Sequence, residues 1–287
     1  MDAPVIGIGF GNYHTHTRHC DGKGSPEEFA EAALSKGMPR LGFSGHNVLP
    51  FPAEWTMPAG NLESYLREVR ETKARYRDRL EVFLGMEVDY LPGIASPVDP
   101  AVRSLGLDFV IGSVHFIAAV DGEYSWTVDG SAGEFETGLR ESFGGDVRAL
   151  VERYYGRVAE MAGRAAPDIV GHFDIVKKNN RDGRWFSEDA AWYRDASRAA
   201  LEAVARSGSV LEINTGGVVR NTSGALYPSA HILREARELG IPVMVNADAH
   251  RPEHVDGHFA ETVRMMRELG FRSQRQLTAR GWVDQEL

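Results

Sequence analysis

Short apolar runs alternate along the chain with longer stretches in which apolar positions recur every three or four residues. The first pattern suits strands buried on both faces and the second suits helices with one buried stripe, so together they predict repeated βα units. Seven strands are expected, over 11–15, 40–45, 80–88, 108–115, 168–172, 209–214 and 242–246. The first helix is the best marked. Ser25-Pro26-Glu27-Glu28 combines a capping serine, proline at the first helical position and a glutamate three residues after the cap, and Gly37 follows Lys36 as a stop. Residues 61–79 place Leu62, Tyr65, Leu66 and Val69 on one stripe of a charged helix. Similar patterns predict helices near 146–164, 187–206, 229–239 and 258–269. The segment 118–145 breaks the rhythm with Gly122, Gly130, Gly133, Gly138, Gly144 and Gly145. It reads as a long loop, of the kind often used as a lid or binding element.

Composition narrows the classes. A chain of 287 residues with 43% hydrophobic and 25% charged positions has ordinary globular proportions, and one domain over 1–287 is the simpler expectation. A formal charge of -9 lacks the basic balance of a nucleic-acid binder. Cys20 is the only cysteine, which rules out an intramolecular disulfide. No export signal and no apolar run long enough to span a membrane is read, so no membrane partner and a cytoplasmic location are expected. On that reading the sequon beginning at Asn221 is a chance match.

The candidate chemistry lies where the expected strands end. His14-Thr15-His16, His46, Glu87, His115, His172 and Asp248-Ala249-His250 each stand at or just beyond such an end. In barrels of parallel strands these ends converge on one face, so residues far apart in sequence meet there. Alternate residues of a strand point the same way, so His14 and His16 form one pair and Asp248 and His250 another. Any one histidine is more often a hydrogen-bonded structural residue than a ligand, but two pairs and four single sites in register make coincidence a poor explanation. Mixed imidazole and carboxylate donors suit zinc, manganese or iron better than calcium or magnesium.

These ordered motifs resemble the polymerase and histidinol phosphatase (PHP) superfamily, in particular its stand-alone histidinol-phosphatases, over nearly the whole chain. The resemblance implies an α/β fold, a distorted, TIM-barrel-like (β/α)7 barrel, with the long insertion near 118–145. It implies three divalent metal ions held by His14, His16, Asp21, His46, Glu87, His115, His172, Asp248 and His250. His14, His16, Glu87 and Asp248 would hold one ion, and Glu87 would bridge to a second on His115 and His172. Asp21, His46 and His250 would hold the third, with His19 and Cys20 as neighbouring substitutes for Asp21. Glu87, Asp248 and His172 are the catalytic candidates.

Other phosphatase chemistries fit the letters poorly. Pro26 stands where a cysteine phosphatase built on Cys20 would need arginine, and no Asp-x-Asp triplet, Walker loop or Gly-x-Ser-x-Gly elbow occurs. Metal-activated water attacking phosphorus in line is the expected route. Arg220, Lys177 and Lys178 are candidates for phosphate binding. Asp89, Tyr90, Trp126 and Asp129 are candidates to receive a substrate cation. The expected reaction is hydrolysis of L-histidinol phosphate to L-histidinol and phosphate. Another small phosphate ester, a nucleotide, or a non-catalytic metal-binding or polymerase-associated module are the alternatives. The partner is then a small phosphorylated metabolite, and oligomeric state is left open.

Overall fold

A computed structural model describes residues 9–119, 124–220 and 222–287, so Gly122 and the sequon's Asn221 lie outside the described residues. Six parallel strands, β1 (Arg40–Phe43), β2 (Glu81–Asp89), β3 (Phe109–Ser113), β4 (Ile169–Val170), β5 (Val210–Asn214) and β6 (Val243–Asn246), pair in strict chain order. Each parallel neighbour needs a crossover, and helices supply most of them. The helices are α1 (Pro26–Ser35), α2 (Leu62–Tyr76), α3 (Pro100–Arg103), α4 (Ala132–Phe143), α5 (Val147–Arg164), α6 (Ala191–Ser207), α7 (Gly216–Val219), α8 (Ala230–Glu238) and α9 (Phe259–Glu268).

The expected first strand takes a reduced form. Instead of a continuous ladder, it makes one parallel bridge from Asn12 to Leu41 of β1 and another from Thr15 to Ala249 beyond β6. His16 N–H donates to the Ala249 carbonyl at 2.9 Å, and Ser44 N–H donates to the Thr15 carbonyl at 2.9 Å. The segment therefore ties both edges of the curled sheet together, giving a distorted, TIM-like barrel. Tyr13, Phe83, Phe109, Ile111, Ile169, Val210, Met244 and Leu277 form a buried cluster on the barrel strands and the adjoining C-terminal hairpin. A larger apolar layer joins the strands to the surrounding helices.

Two elements depart from expectation. Part of the presumed loop 118–145 is α4, opened by a capping box in which Ser131 Oγ accepts from Glu134 N–H while the Glu134 carboxylate accepts from Ser131 N–H. Its glycines hide the helical pattern, and one has a packing role: a Cβ on Gly138 would lie 2.2 Å from the Trp126 ring. After α9, β7 (Ser273–Thr278) and β8 (Gly281–Glu286) form an antiparallel hairpin. It docks through polar side chains that no apolar periodicity reveals. Gln276 Oε1 accepts from Gly11 N–H at 2.7 Å, and Gln274 Oε1 accepts from Val245 N–H at 2.9 Å. Among the described residues no helix is long and apolar enough to cross a membrane.

Candidate metal centre

The strands deliver their polar residues at one end of the barrel. His46, His115, His172 and Asp248 lie two or three residues beyond β1, β3, β4 and β6, whereas Glu87 lies within β2. Burial on both faces makes these strands apolar until their last residues, where the side chains can reach the open end. The result is a cleft of about 600 Å³ lined by Glu87, Asp248 and His46, His115, His172 and His250, with Asp21, Asp129, Lys178, Arg220 and Trp55 around them.

Glu87 sits at the centre. Its Oε2 lies 3.1 Å from His14 Nε2, 3.1 Å from His46 Nδ1 and 3.4 Å from His16 Nε2. Its Oε1 lies 2.9 Å from His172 Nε2 and 3.8 Å from His115 Nε2. Three groups of potential ligands result: His14, His16 and Asp248; Glu87, His115 and His172; and His16, Asp21, His46 and His250. All nine residues expected from the motifs thus converge. His16 falls in two groups, with Nε2 3.2 Å from Asp248 Oδ1 and Nδ1 3.7 Å from Asp21 Oδ1. His19 instead pairs with Glu68 at 3.1 Å, and Cys20 Sγ stands 3.7 Å from His16 Nδ1.

The donors fit divalent ions. His16 Nε2, Asp21 Oδ1 and His46 Nδ1 are buried within the cluster, close to its carboxylates or imidazoles but without a well-aligned hydrogen bond. Buried polar atoms are nearly always satisfied, so several poorly satisfied ones converging on one place imply a further partner. Burial opposes charge on Glu87 and Asp248, yet neighbouring histidines, with Arg220 at Asp248, hold both carboxyls well below their usual range. Burial and the surrounding histidines push His46 down to about 3. Burial also opposes charge on His115, but Asp89, Asp129 and Glu87 outweigh it and raise this group to about 10. Asp248 has φ +50°, a left-handed backbone that aspartate tolerates better than most residues. Arg220 Nη2 at 2.9 Å and Asn214 Nδ2 at 3.3 Å donate to its Oδ2.

Behind the ligands lie residues that the motif reading missed. Glu212 is fully buried and takes His14 Nδ1–H at 2.7 Å, His172 N–H at 2.7 Å, Asn214 Nδ2 at 2.9 Å and Asn246 Nδ2 at 3.0 Å. A carboxylate on the far nitrogen of a ligating histidine fixes its tautomer and orientation. The detectable signal was an acidic residue inside an otherwise apolar strand, where charge is costly without partners. Asp89 has the same relation to His115 Nδ1 at 2.9 Å.

The expected substrate contacts divide. Arg220, Lys178 and Asp129 line the cleft. Arg220 Nη1 also stands 3.0 Å from His250 Nδ1, and Lys178 Nζ lies 3.6 Å from Asp129 Oδ2. Lys177 is corrected: it is buried against Asp174 at 2.8 Å and bonded to Ser229, because consecutive residues on the 3₁₀ turn Ile175–Lys177 and its cap point in different directions. Trp126 is corrected too. Its indole is buried against α4, with Nε1–H donating to Ser142 Oγ at 3.1 Å, and it does not line the cleft. Asp89 is buried behind His115, and Tyr90 is buried and absent from the cleft lining.

The model of the PHP domain matches residues 12–216. A Deinococcus radiodurans relative named "Probable histidinol-phosphatase" is 33% identical over 91% of this chain and 94% of its own length. Among solved structures, one from Listeria monocytogenes, provisionally named a histidinol phosphatase, superposes with a TM-score of 0.74 at 23% identity, covering 88% of this chain and 99% of the other. The histidinol phosphate phosphatase of Lactococcus lactis, solved with zinc, L-histidinol and phosphate, gives a TM-score of 0.66 at 17% identity, covering 96% and 99%. These two likenesses support the fold, and the match of the family model over most of the chain, joined to the Deinococcus relative, supports descent: the chain belongs to the PHP domain family.

Proposed function

We propose that this chain is a metal-dependent phosphomonoesterase that hydrolyses L-histidinol phosphate to L-histidinol and phosphate in histidine biosynthesis. The observation that carries the chemistry is Glu87, whose two oxygens are offered to different histidine groups in a cleft also lined by Arg220 and Lys178. The substrate follows from the names of the relatives.

The proposed complement is three divalent ions of zinc, manganese or iron. His14, His16, Glu87 and Asp248 would hold one, Glu87, His115 and His172 the second, and Asp21, His46 and His250 the third. When bound, such ions supply a water nucleophile at neutral pH, orient the phosphate and neutralise charge on the entering and leaving oxygens. Glu212 and Asp89 keep the protons of His14 and His115 on Nδ1, which leaves each Nε2 free to ligate. Arg220 has five donors, and its bonds to Asp248 leave some free for a phosphate oxygen, with Lys178 as a second cation. Asp129 is the proposed carboxylate for the cationic part of the substrate. The same reading takes residues 1–287 as a single cytoplasmic domain.

Phosphate release from histidinol phosphate, measured before and after chelation and after return of each candidate metal, tests the proposal. Activity should vanish on chelation and return with metal. Full turnover by the metal-free protein would overturn it.

A further inference from the structure

The cleft has two chemically different ends, and a row of rings connects them. His250 and His16 stack with centroids 4.3 Å apart, His16 and His46 follow at 4.4 Å, and Trp55 meets His46 at 4.5 Å. Arg220 stands beside His250, at the opposite end of this row from Trp55. Trp55 also meets His115 at 4.9 Å. It is the one Trp, Tyr or Phe lining the cleft among the described residues, and it is partly exposed there. Phe116 backs the indole nearly parallel at 5.8 Å, and Phe116 in turn rests on Phe51 and Tyr124. An indole buttressed in this way cannot easily turn out of the cleft.

We infer that Trp55 is a specificity-determining residue: it receives the flat or cationic organic group of the phosphate ester, while the phosphate lies toward Arg220. This inference rests on the histidinol phosphate reading and adds to it the residue that separates this ester from others. An indole face attracts ammonium and imidazolium groups and stacks on an imidazole, whereas a neutral polyol gains little from it. Asp129 also lines the cleft, where its carboxylate is paired with Lys178 at 3.6 Å, so the indole is the recognition element not already engaged in an ion pair.

The test compares kcat/KM for histidinol phosphate and for glycerol phosphate in the metal-loaded wild type, Trp55→Leu and Trp55→Phe, with metal content measured in each. In Trp55→Leu the ratio of the two efficiencies should fall by roughly ten-fold, mainly through KM for histidinol phosphate. Trp55→Phe should recover most of the ratio, and L-histidinol should bind Trp55→Leu correspondingly more weakly by calorimetry. An unchanged ratio, or an equal loss on both esters with reduced metal content, would overturn the inference and leave the proposed function standing. A wild type that does not turn over histidinol phosphate would remove the proposed function, and this inference with it.

Discussion

At Glu87 charge, not volume, is the property in use, because each oxygen faces its own histidine group and the side chain is almost fully buried. Glu87→Gln keeps the shape and removes the charge. A neutral amide cannot bridge two cations, so metal content should fall by at least one ion per chain and phosphate release by a hundred-fold or more, on the order of 3 kcal/mol. Elemental analysis beside a turnover assay checks this, and full activity with unchanged metal content would remove the bridging role. Eight of the nine candidate ligands are legible in the sequence because they stand at or near the ends of expected strands, where polar side chains recur in register; Asp21 lies on a turn after His16 and comes only from the family resemblance. Glu212 is less legible because it lies within its strand and acts through His14. Lys177 and Lys178 are indistinguishable as letters. Only the turn that carries them decides that one is buried against Asp174 and the other lines the cleft.

Among the elements, the strands and the larger helices match the periodic pattern closely. The misses have physical causes. The segment 11–15 holds the barrel together through two bridges whose hydrogen bonds leave no separate mark in the pattern. The hairpin of β7 and β8 docks largely by Gln274 and Gln276, with Leu277 as its buried apolar contact, so most of its inward residues read as polar surface. In α4 the capping box Ser131-x-x-Glu134 is visible in the letters, but Gly133 and Gly138 dilute the helical signal. Gly138 makes a clear test, since two effects oppose one another there. Alanine would favour the helix by about 1 kcal/mol. Its Cβ would meet the Trp126 ring at 2.2 Å, an overpacking that typically costs about 1–3 kcal/mol. Gly138→Ala should therefore lower stability by roughly 1 kcal/mol in urea unfolding despite its better helix propensity. A more stable variant would mean that the contact between Trp126 and α4 is looser than described.

For the molecule as a whole, the cluster couples folding to protonation and to metal. In the metal-free protein, burial works against charge on His115, but Asp89, Asp129 and Glu87 raise it from 6.5 to about 10. A raised histidine contributes stability that is complete below 6.5 and is lost as pH climbs toward about 10. The chelated protein should accordingly lose Tm across that interval, and Asp89→Asn should lessen the loss. A Tm that rises over the same interval would contradict the assignment. Metal binding requires the neutral imidazole, so uptake near neutral pH should release protons.

A cleft that joins a metal cluster to Arg220 and Trp55 should serve a small cationic phosphate ester. Metals and phosphate clamp would act on any monoester, so discrimination must come from groups that meet the rest of the substrate. The most direct measurement is kcat/KM of the metal-loaded protein across histidinol phosphate, nucleoside monophosphates and simple aryl phosphates. Histidinol phosphate should be turned over most efficiently; equal efficiencies or a preference for a nucleotide would mean that the cleft does not select the cationic ester.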